Sequence, residues 1–487
     1  MRSTRARALT LAAAATVAMT MPCTAQAASY VPPTPADLSN LSWTDAFDAL
    51  VVKMSREYAF TDWKQVDWKR LAATYRPRIA QAQADGDGVT YLLALREFTH
   101  ELHDGHVSIR SETGEFELGV RAQRAGGGFG LIVDQVDKGD IAAVWVQRDG
   151  PAWRAGIRKG AVITSWQGRP VRKQLRRTST ALAPSMPTRA RMKYERLRFL
   201  VRASVGDERT VGFEDPEGTS RHVTLTAVDD GLQTLEMTDA SSILHKGWPK
   251  DMVTTRLLRG NIGYVQVAAE LDLPSELPGD HTPTLTQFRS AIRAFQRRDV
   301  NGLVIDIRGN SGGMDQMVAD MMSSFSTRTA FYEYQNWINA RTGRFEIWKT
   351  DDTTGAFTKR DAGLWIHPGP KPYAGPIAVL IDNGCVSSGE GLAMGLSRLP
   401  NATLIGFYGT NGSFGMVGDG VLMPGGQEIG WPFGQSLDKS RTVQIDSRHL
   451  VGGVPPDVVV PRTVSTINRT LRGDDVLLHR ALRALRG

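Results

Sequence analysis

The chain has 487 residues, 41% hydrophobic and 22% charged. That length exceeds one ordinary core, so two or three domains are expected, with the composition of a soluble globular protein. The formal charge of +7 is spread without any block of lysine and arginine, which excludes a basic stripe and leaves no nucleic-acid partner to expect.

The first segment reads as a targeting leader. Arg2, Arg5 and Arg7 precede an apolar run from Ala8 to Met21, and Ala25-Gln-Ala27 has the small-x-small pattern of a cleavage site. Residues 1–28 are therefore assigned as a signal peptide cleaved near Ala27, and the chain is expected to be exported, to the periplasm or outside the cell. Met-Pro-Cys23 makes a poor lipobox. No later apolar run reaches about 18 residues, so no integral membrane span is expected. With only Cys23 and Cys385 present, loss of the leader leaves no pair for a disulfide.

Residues 36–112 read as a helical region. Phe47, Leu50, Val51 and Met54 recur at helical spacing, as do Leu92, Leu95, Phe98 and Leu102. Residues 113–230 read as a small β-rich module. Gly126 to Val133 is a glycine-rich turn entering a strand, Ala142 to Gln147 is a second strand, and Thr210–Phe213 with His222–Thr226 form a hairpin. Arg189 to Arg202 interleaves arginines with Leu197, Phe199 and Leu200, as a solvated amphipathic helix does. Residues 245–487 alternate strands and helices. The strands are Asn261–Val267, Gly302–Ile307, Ile377–Ile381 and Thr403–Gly406, and the pattern predicts an α/β core with a mainly parallel sheet. The stretch from Thr327 to Thr358 reads as added hairpins.

Four short motifs carry the chemistry. In Asp382-Asn-Gly-Cys-Val-Ser-Ser-Gly-Glu390 a buried strand turns sharply into a helix. A serine there has an exposed hydroxyl and lies among outward N–H groups that favour developing negative charge. Ser387 and Ser388 compete as nucleophile, with Cys385 ranked behind them as a buried apolar residue. In Leu102-His-Asp-Gly-His-Val-Ser108, His106 follows a turn and can act as a general base. No third ligand at zinc spacing is evident, so neither metal nor cofactor is expected. Asp306-Ile-Arg-Gly-Asn-Ser-Gly-Gly-Met314 ends a strand in a glycine turn that lacks the lysine of a P-loop. Its Asp306 and Arg308 read as pinning the turn. Finally, Gly452 to Pro461 leads a turn into a terminal strand with a structural Asp457, and Asp446 upstream is placed to orient a histidine.

Together these motifs resemble the S41 family of serine peptidases, which includes carboxy-terminal processing proteases and tricorn. Asp306-x-Arg308-x-Asn310-x-Gly312-Gly313, Ser387-Ser-Gly-Glu390 and Gly453-Val-Pro-Pro-Asp457 carry the likeness. Gly128-Phe-Gly-Leu131, Gly150-Pro-Ala and Ala155-Gly-Ile-x-x-Gly160 resemble a PDZ domain. The resemblance implies a multidomain α/β protein with a ClpP/crotonase-like core. Processing proteases use a lysine in a Phe-Gly-Lys turn, whereas this chain has Ser413-Phe-Gly-Met416, so the tricorn-like branch is the better match. That branch implies Ser387 as nucleophile and His106 as base. Its oxyanion hole would come from N–H groups of Ser388 and of Gly312 or Gly313. Asp446 substitutes for the family's late glutamate. Gly128, Phe129, Gly130 and Leu131 would hold the peptide or protein substrate by strand addition. The expected activity is that of a serine endopeptidase. A non-catalytic ligand- or peptide-binding relative and an esterase are the alternatives.

Overall fold

The computed structural model describes residues 30–110, 115–239, 247–275, 282–350, 356–418 and 420–486. The leader and its Cys23 lie outside the described residues.

The chain is a mixed α/β protein with several sheets. At its centre is a six-stranded sheet in sequence order: Val253–Leu258, Ile262–Val267, Gly302–Asp306, Ile377–Leu380, Ala402–Gly406 and Val458–Val459. The first pair is antiparallel and the remaining pairs are parallel. Period-two alternation sorts the side chains. Leu303 and Ile305 point to one core with helices Thr284–Arg297, Asp315–Met322 and Ser388–Ser397. Val304, Ala378 and Leu380 point to the other, against Val476, Leu477 and Ala481 of helix Val476–Ala484. Burial on both faces explains why these strands read as unbroken apolar runs.

The helical region contains Trp43–Glu57, Thr61–Lys64, Trp68–Asp85 and Gly88–His100. Ser42, Asp67 and Asp87 cap the three longer helices by accepting backbone N–H groups. The region does not close on itself at residue 112. Its strands Ala36–Asp37 and Ser108–Arg110 flank the hairpin Val421–Met423/Gln427–Gly430, far along the chain. Val421, Met423, Ile429 and Trp431 fill the same hydrophobic core as Phe47, Leu50, Tyr91 and Phe98.

The β-rich module has an antiparallel sheet of Ser220–Thr226, Glu208–Glu214, Val162–Trp166, Ile141–Val146 and Leu131–Gln135, in that spatial order. Helix Arg189–Leu200 contributes Leu197 and Leu200 to its core. Helix Glu115–Ala125 stands where the sequence pointed to β structure. Strand Val253–Leu258 and the two helices after Thr463 were not anticipated either. The added hairpin is Ala330–Asn339 with Arg344–Thr350, and it joins Pro432–Leu437 and Gly415–Val417 in a separate sheet.

Because the hairpin completes the helical core, damage to it should spread. Ile429→Ala is expected to destabilise the protein by about 2–4 kcal/mol. Amide exchange should accelerate in helix Trp43–Glu57 as well as in the hairpin. Acceleration confined to the hairpin would show that the two do not share a core.

Candidate active site

Strand Ile377–Leu380 delivers the chain to the turn. Asp382 Oδ1 accepts the N–H groups of Gly384, Cys385 and Gly309, at 3.0, 3.1 and 2.9 Å. This ties the serine turn to the glycine turn after Gly302–Asp306. Ser387 then takes φ 59°, ψ −133°, a backbone conformation that a residue with a Cβ rarely adopts and that costs about 1–3 kcal/mol. Fixed bonds hold it there. Its N–H donates to Ser413 O at 3.0 Å, and its carbonyl accepts from Glu390 and Gly391 N–H at 2.8 and 3.2 Å. The result is a strained serine at a helix N-terminus whose side chain caps nothing.

The three rival nucleophiles separate by environment. Ser388 Oγ lies 2.8 Å from Gly313 O and 2.7 Å from Asp315 Oδ1, so its hydroxyl is committed to holding the glycine turn. Cys385 is fully buried, and burial among nearby carboxylates pushes its thiol well above the ordinary range. Ser387 has a partly exposed hydroxyl with no hydrogen-bond partner among the described residues.

Gly312 and Gly313 press against this serine. A Cβ on Gly312, whose φ is +79°, would fall 2.5 Å from Ser387 Cβ, and one on Gly313 would fall 2.2 Å from Glu270 O. Only glycine fits either place. The Gly312 N–H is occupied by Asn310 Oδ1 at 2.8 Å. Those of Gly313 and Ser388 have no acceptor among the described residues. Of the donor pairs expected from sequence, Ser388 with Gly313 is the one left open.

His106 lies on the turn after helix Gly88–His100, 281 positions from Ser387 in the chain but fastened to the same residue. Ser413 Oγ accepts the Gly105 N–H at 2.8 Å, while Ser413 O accepts the Ser387 N–H. The next residue, Phe414, donates its N–H to Asp446 Oδ2 at 2.9 Å. The dipeptide Ser413-Phe414 thus joins all three segments. Both ring nitrogens of His106 are buried without a partner, and burial holds its imidazole below the usual range. The ligand-type atoms of Asp104, His106 and Asp446 lie within 4.8 Å of one another. Asp104 Oδ1 accepts the His106 N–H at 2.9 Å, and Tyr58 Oη donates to Asp104 Oδ2 at 2.7 Å. Lys64 makes ion pairs with Asp446 at 3.0 Å and Asp104 at 3.5 Å. Burial, with Asp104 beside it, pushes the Asp446 carboxyl up to about 7 against the pull of Lys64.

The loop expected to bind substrate is spent largely on the module's own packing. Gly128 is paired on both sides, to Arg202 and Val228. Phe129 and Leu131 are core side chains. Leu131–Gln135 is the last strand of its sheet, with Leu131, Ile132 and Val133 buried. A cavity of about 250 Å³ lies beside it, lined among others by Ile132, Leu197, Tyr408 and Leu471. Asp306 and Arg308 pair as expected, Arg308 also bonding Asp475 at 2.8 Å, and Asp457 accepts the Leu404 N–H at 2.8 Å. Sequence reasoning missed Lys64, Glu270 and Ser413: the first two lie in no motif singled out for chemistry, and the Ser413-Phe-Gly-Met416 turn stood out for Met416 alone.

Residues 261–460 match the family model described as Peptidase family S41, and residues 39–89 match that of the tricorn protease C1 domain. The chain is 30% identical over 146 residues to the carboxy-terminal processing protease CtpB of Bacillus subtilis (strain 168). That match covers 30% of this chain and 26% of the relative, so it spans about a quarter of the relative's length. In fold the chain is similar to mature CPAF complexed with lactacystin, at a TM-score of 0.59, with 15% identity and coverage of 91% of this chain and 99% of that one. A second structure of mature CPAF aligns with the same TM-score at 16% identity, covering 90% and 98%.

Glu270 offers a test of the site's electrostatics. It is fully buried beside the glycine turn, receives Asn310 Nδ2 on Oε1 at 2.8 Å, and leaves Oε2 without a partner. Burial raises its carboxyl from 4.5 to about 8. The folded state therefore holds a proton that the unfolded chain releases above about 4.5, so stability is full below that pH and is lost as pH rises through about 8. Glu270→Gln, which mimics the protonated acid, should flatten the fall in Tm between these limits. An unchanged slope of Tm against pH would show that Glu270 is ionised in the fold.

Proposed function

We propose that this chain is an exported serine endopeptidase of the S41 type. Ser387 is the nucleophile, His106 the general base, Asp446 the carboxylate that orients and stabilises the imidazolium, and the N–H groups of Ser388 and Gly313 the oxyanion hole. The observation that carries the reading is the Ser413-Phe414 junction, which bonds the strained serine, the histidine turn and the Asp446 segment.

The steps follow from the placement. Ser387 Oγ attacks the scissile carbonyl and its proton passes to His106. The carbonyl oxygen gains charge and is met by two preorganised N–H donors, which are worth more in a site shielded from water than in solution. His106 then returns the proton to the leaving amine, and water hydrolyses the acyl-enzyme by the same route. Lowering of the His106 imidazole by burial keeps it unprotonated at neutral pH, as a base must be.

On this reading residues 36–112 form a helical region completed by the 421–430 hairpin. Residues 113–230 form a PDZ-like module and residues 245–487 a ClpP/crotonase-like catalytic core. The outer side of Leu131–Gln135, the last strand of its sheet, is where a substrate strand would add. The leader supports export, so the substrates would be peptides or unfolded proteins met outside the cytoplasm.

Ser387→Ala should lower kcat on an unfolded protein substrate by about 10⁴-fold or more, and Asp446→Asn by about 10²–10⁴-fold. Small esters assayed in parallel separate an esterase from a peptidase. Undiminished peptide cleavage by Ser387→Ala would remove Ser387 from the mechanism.

A further inference from the structure

Helix Thr61–Lys64 belongs to the N-terminal region, yet it lies against the candidate site. Trp63 Nε1 donates to Asp446 O at 3.4 Å, and the Arg448 guanidinium stacks 4.9 Å from the Trp63 ring centroid. On the other side Ala59 N donates to Pro432 O at 2.9 Å. These contacts set Lys64 at the junction of the helical region and the core.

The Lys64 ammonium is held by two hydrogen bonds and an ion pair. It bonds His103 O at 2.9 Å and Ser447 Oγ at 3.1 Å, and faces Asp446 Oδ1 at 3.0 Å. Asp104 Oδ2 is the next neighbour, at 3.5 Å. The lysine side chain is 7% exposed and both aspartates are 0% exposed. A buried ion pair is weak evidence for stability, because desolvation offsets the attraction. The charge count is more telling. One ammonium lies between two buried carboxylates beside His106, so it offsets part of the negative charge that would otherwise draw a proton to the imidazole. Without Lys64 the uncompensated charge of the buried aspartates would favour a resting proton on His106.

We propose that Lys64 is a positioning residue of the proton-transfer system: its ammonium sets a positive charge between the two buried aspartates, so that His106 rests as the free base. The inference rests on the peptidase reading for its consequence, but not for its geometry. The groups that face this cluster are Tyr58 from the end of the first helix, His103 and Asp104 on the histidine turn, Asp446 from the core, and Glu390, whose carboxyl Asp446 helps to raise. Lys64 lowers the imidazole of His106 and the carboxyl of Asp446, and Asp104 opposes it at both.

The test reads His106 directly, by NMR titration of its imidazole in the Ser387→Ala background, where no turnover is needed. Adding Lys64→Met should raise the His106 midpoint by about one pH unit or more, and adding Lys64→Arg should leave it near its starting value. Lys64→Gln, which keeps donors toward His103 and Ser447, is run alongside as the milder neutral variant. In the active protein, Lys64→Met should lower kcat with little change in KM and move the acid limb of the rate profile to higher pH. An unmoved His106 midpoint in both neutral variants overturns the proposal, even if their Tm falls. Full activity in Ser387→Ala would instead overturn the peptidase reading and leave the titration result standing.

Discussion

The geometry of the site depends on one buried carboxylate. Glu390 is three residues after Ser387 on the same helical turn and is 0% exposed. It accepts the N–H groups of Gly412 and Ser413 at 2.8 Å and the Thr410 hydroxyl at 2.5 Å. Thr410 Oγ1 in turn accepts the Val454 N–H at 2.7 Å. These bonds fix residues 410–413, and that segment holds the Ser387 N–H, the Gly105 N–H and, through Phe414, the Asp446 carboxylate. Burial pushes Glu390 up to about 8, while its three donors favour the charge. A carboxylate surrounded only by donors would leave several backbone groups unpaired if it were lost, which is the costly kind of deletion inside a protein.

Charge bookkeeping is the second theme. The fold places many acids out of water near the site: Glu270, Asp315, Glu333, Asp382 and Glu390 are all raised by burial. Near His106 it instead brings in a compensating cation from the N-terminal helices. That makes the helical region part of the chemistry as well as a support. It also explains why the hairpin 421–430 and helix Thr61–Lys64 are fastened to the core segment 432–448, since the site is assembled where they meet.

Much of the site was legible in the sequence because it sits in turns whose composition is constrained. The glycines at 312 and 313 are required by contacts a Cβ could not make. The Ser387-x-x-Glu390 spacing is one helical turn, which lets the serine and its anchoring acid share a helix start. The parallel strands declared themselves as apolar runs because both faces are buried. Other parts carried no such mark. Lys64 sits on a four-residue helix among Trp63 and Trp68, and its partners Asp104 and Asp446 are distant in sequence. Ser413 acts through its backbone and hydroxyl, in a loop whose sequence drew notice only for Met416. Gly312 reads as an oxyanion donor in the sequence, but Asn310 Oδ1 occupies its N–H. The β-rich module's loop reads as a binding loop, yet Phe129 turns into the core and Gly128 is paired on both sides. The helices after Thr463 have a capping box and apolar spacing, but they lie beyond the motifs that drew attention.

The most direct test of the account is covalent labelling with a fluorophosphonate, followed by peptide mass spectrometry. The account predicts one adduct per chain on Ser387, lost in His106→Ala and undiminished by blocking of Cys385. Labelling at Ser388 or at no serine, in folded protein, would contradict it.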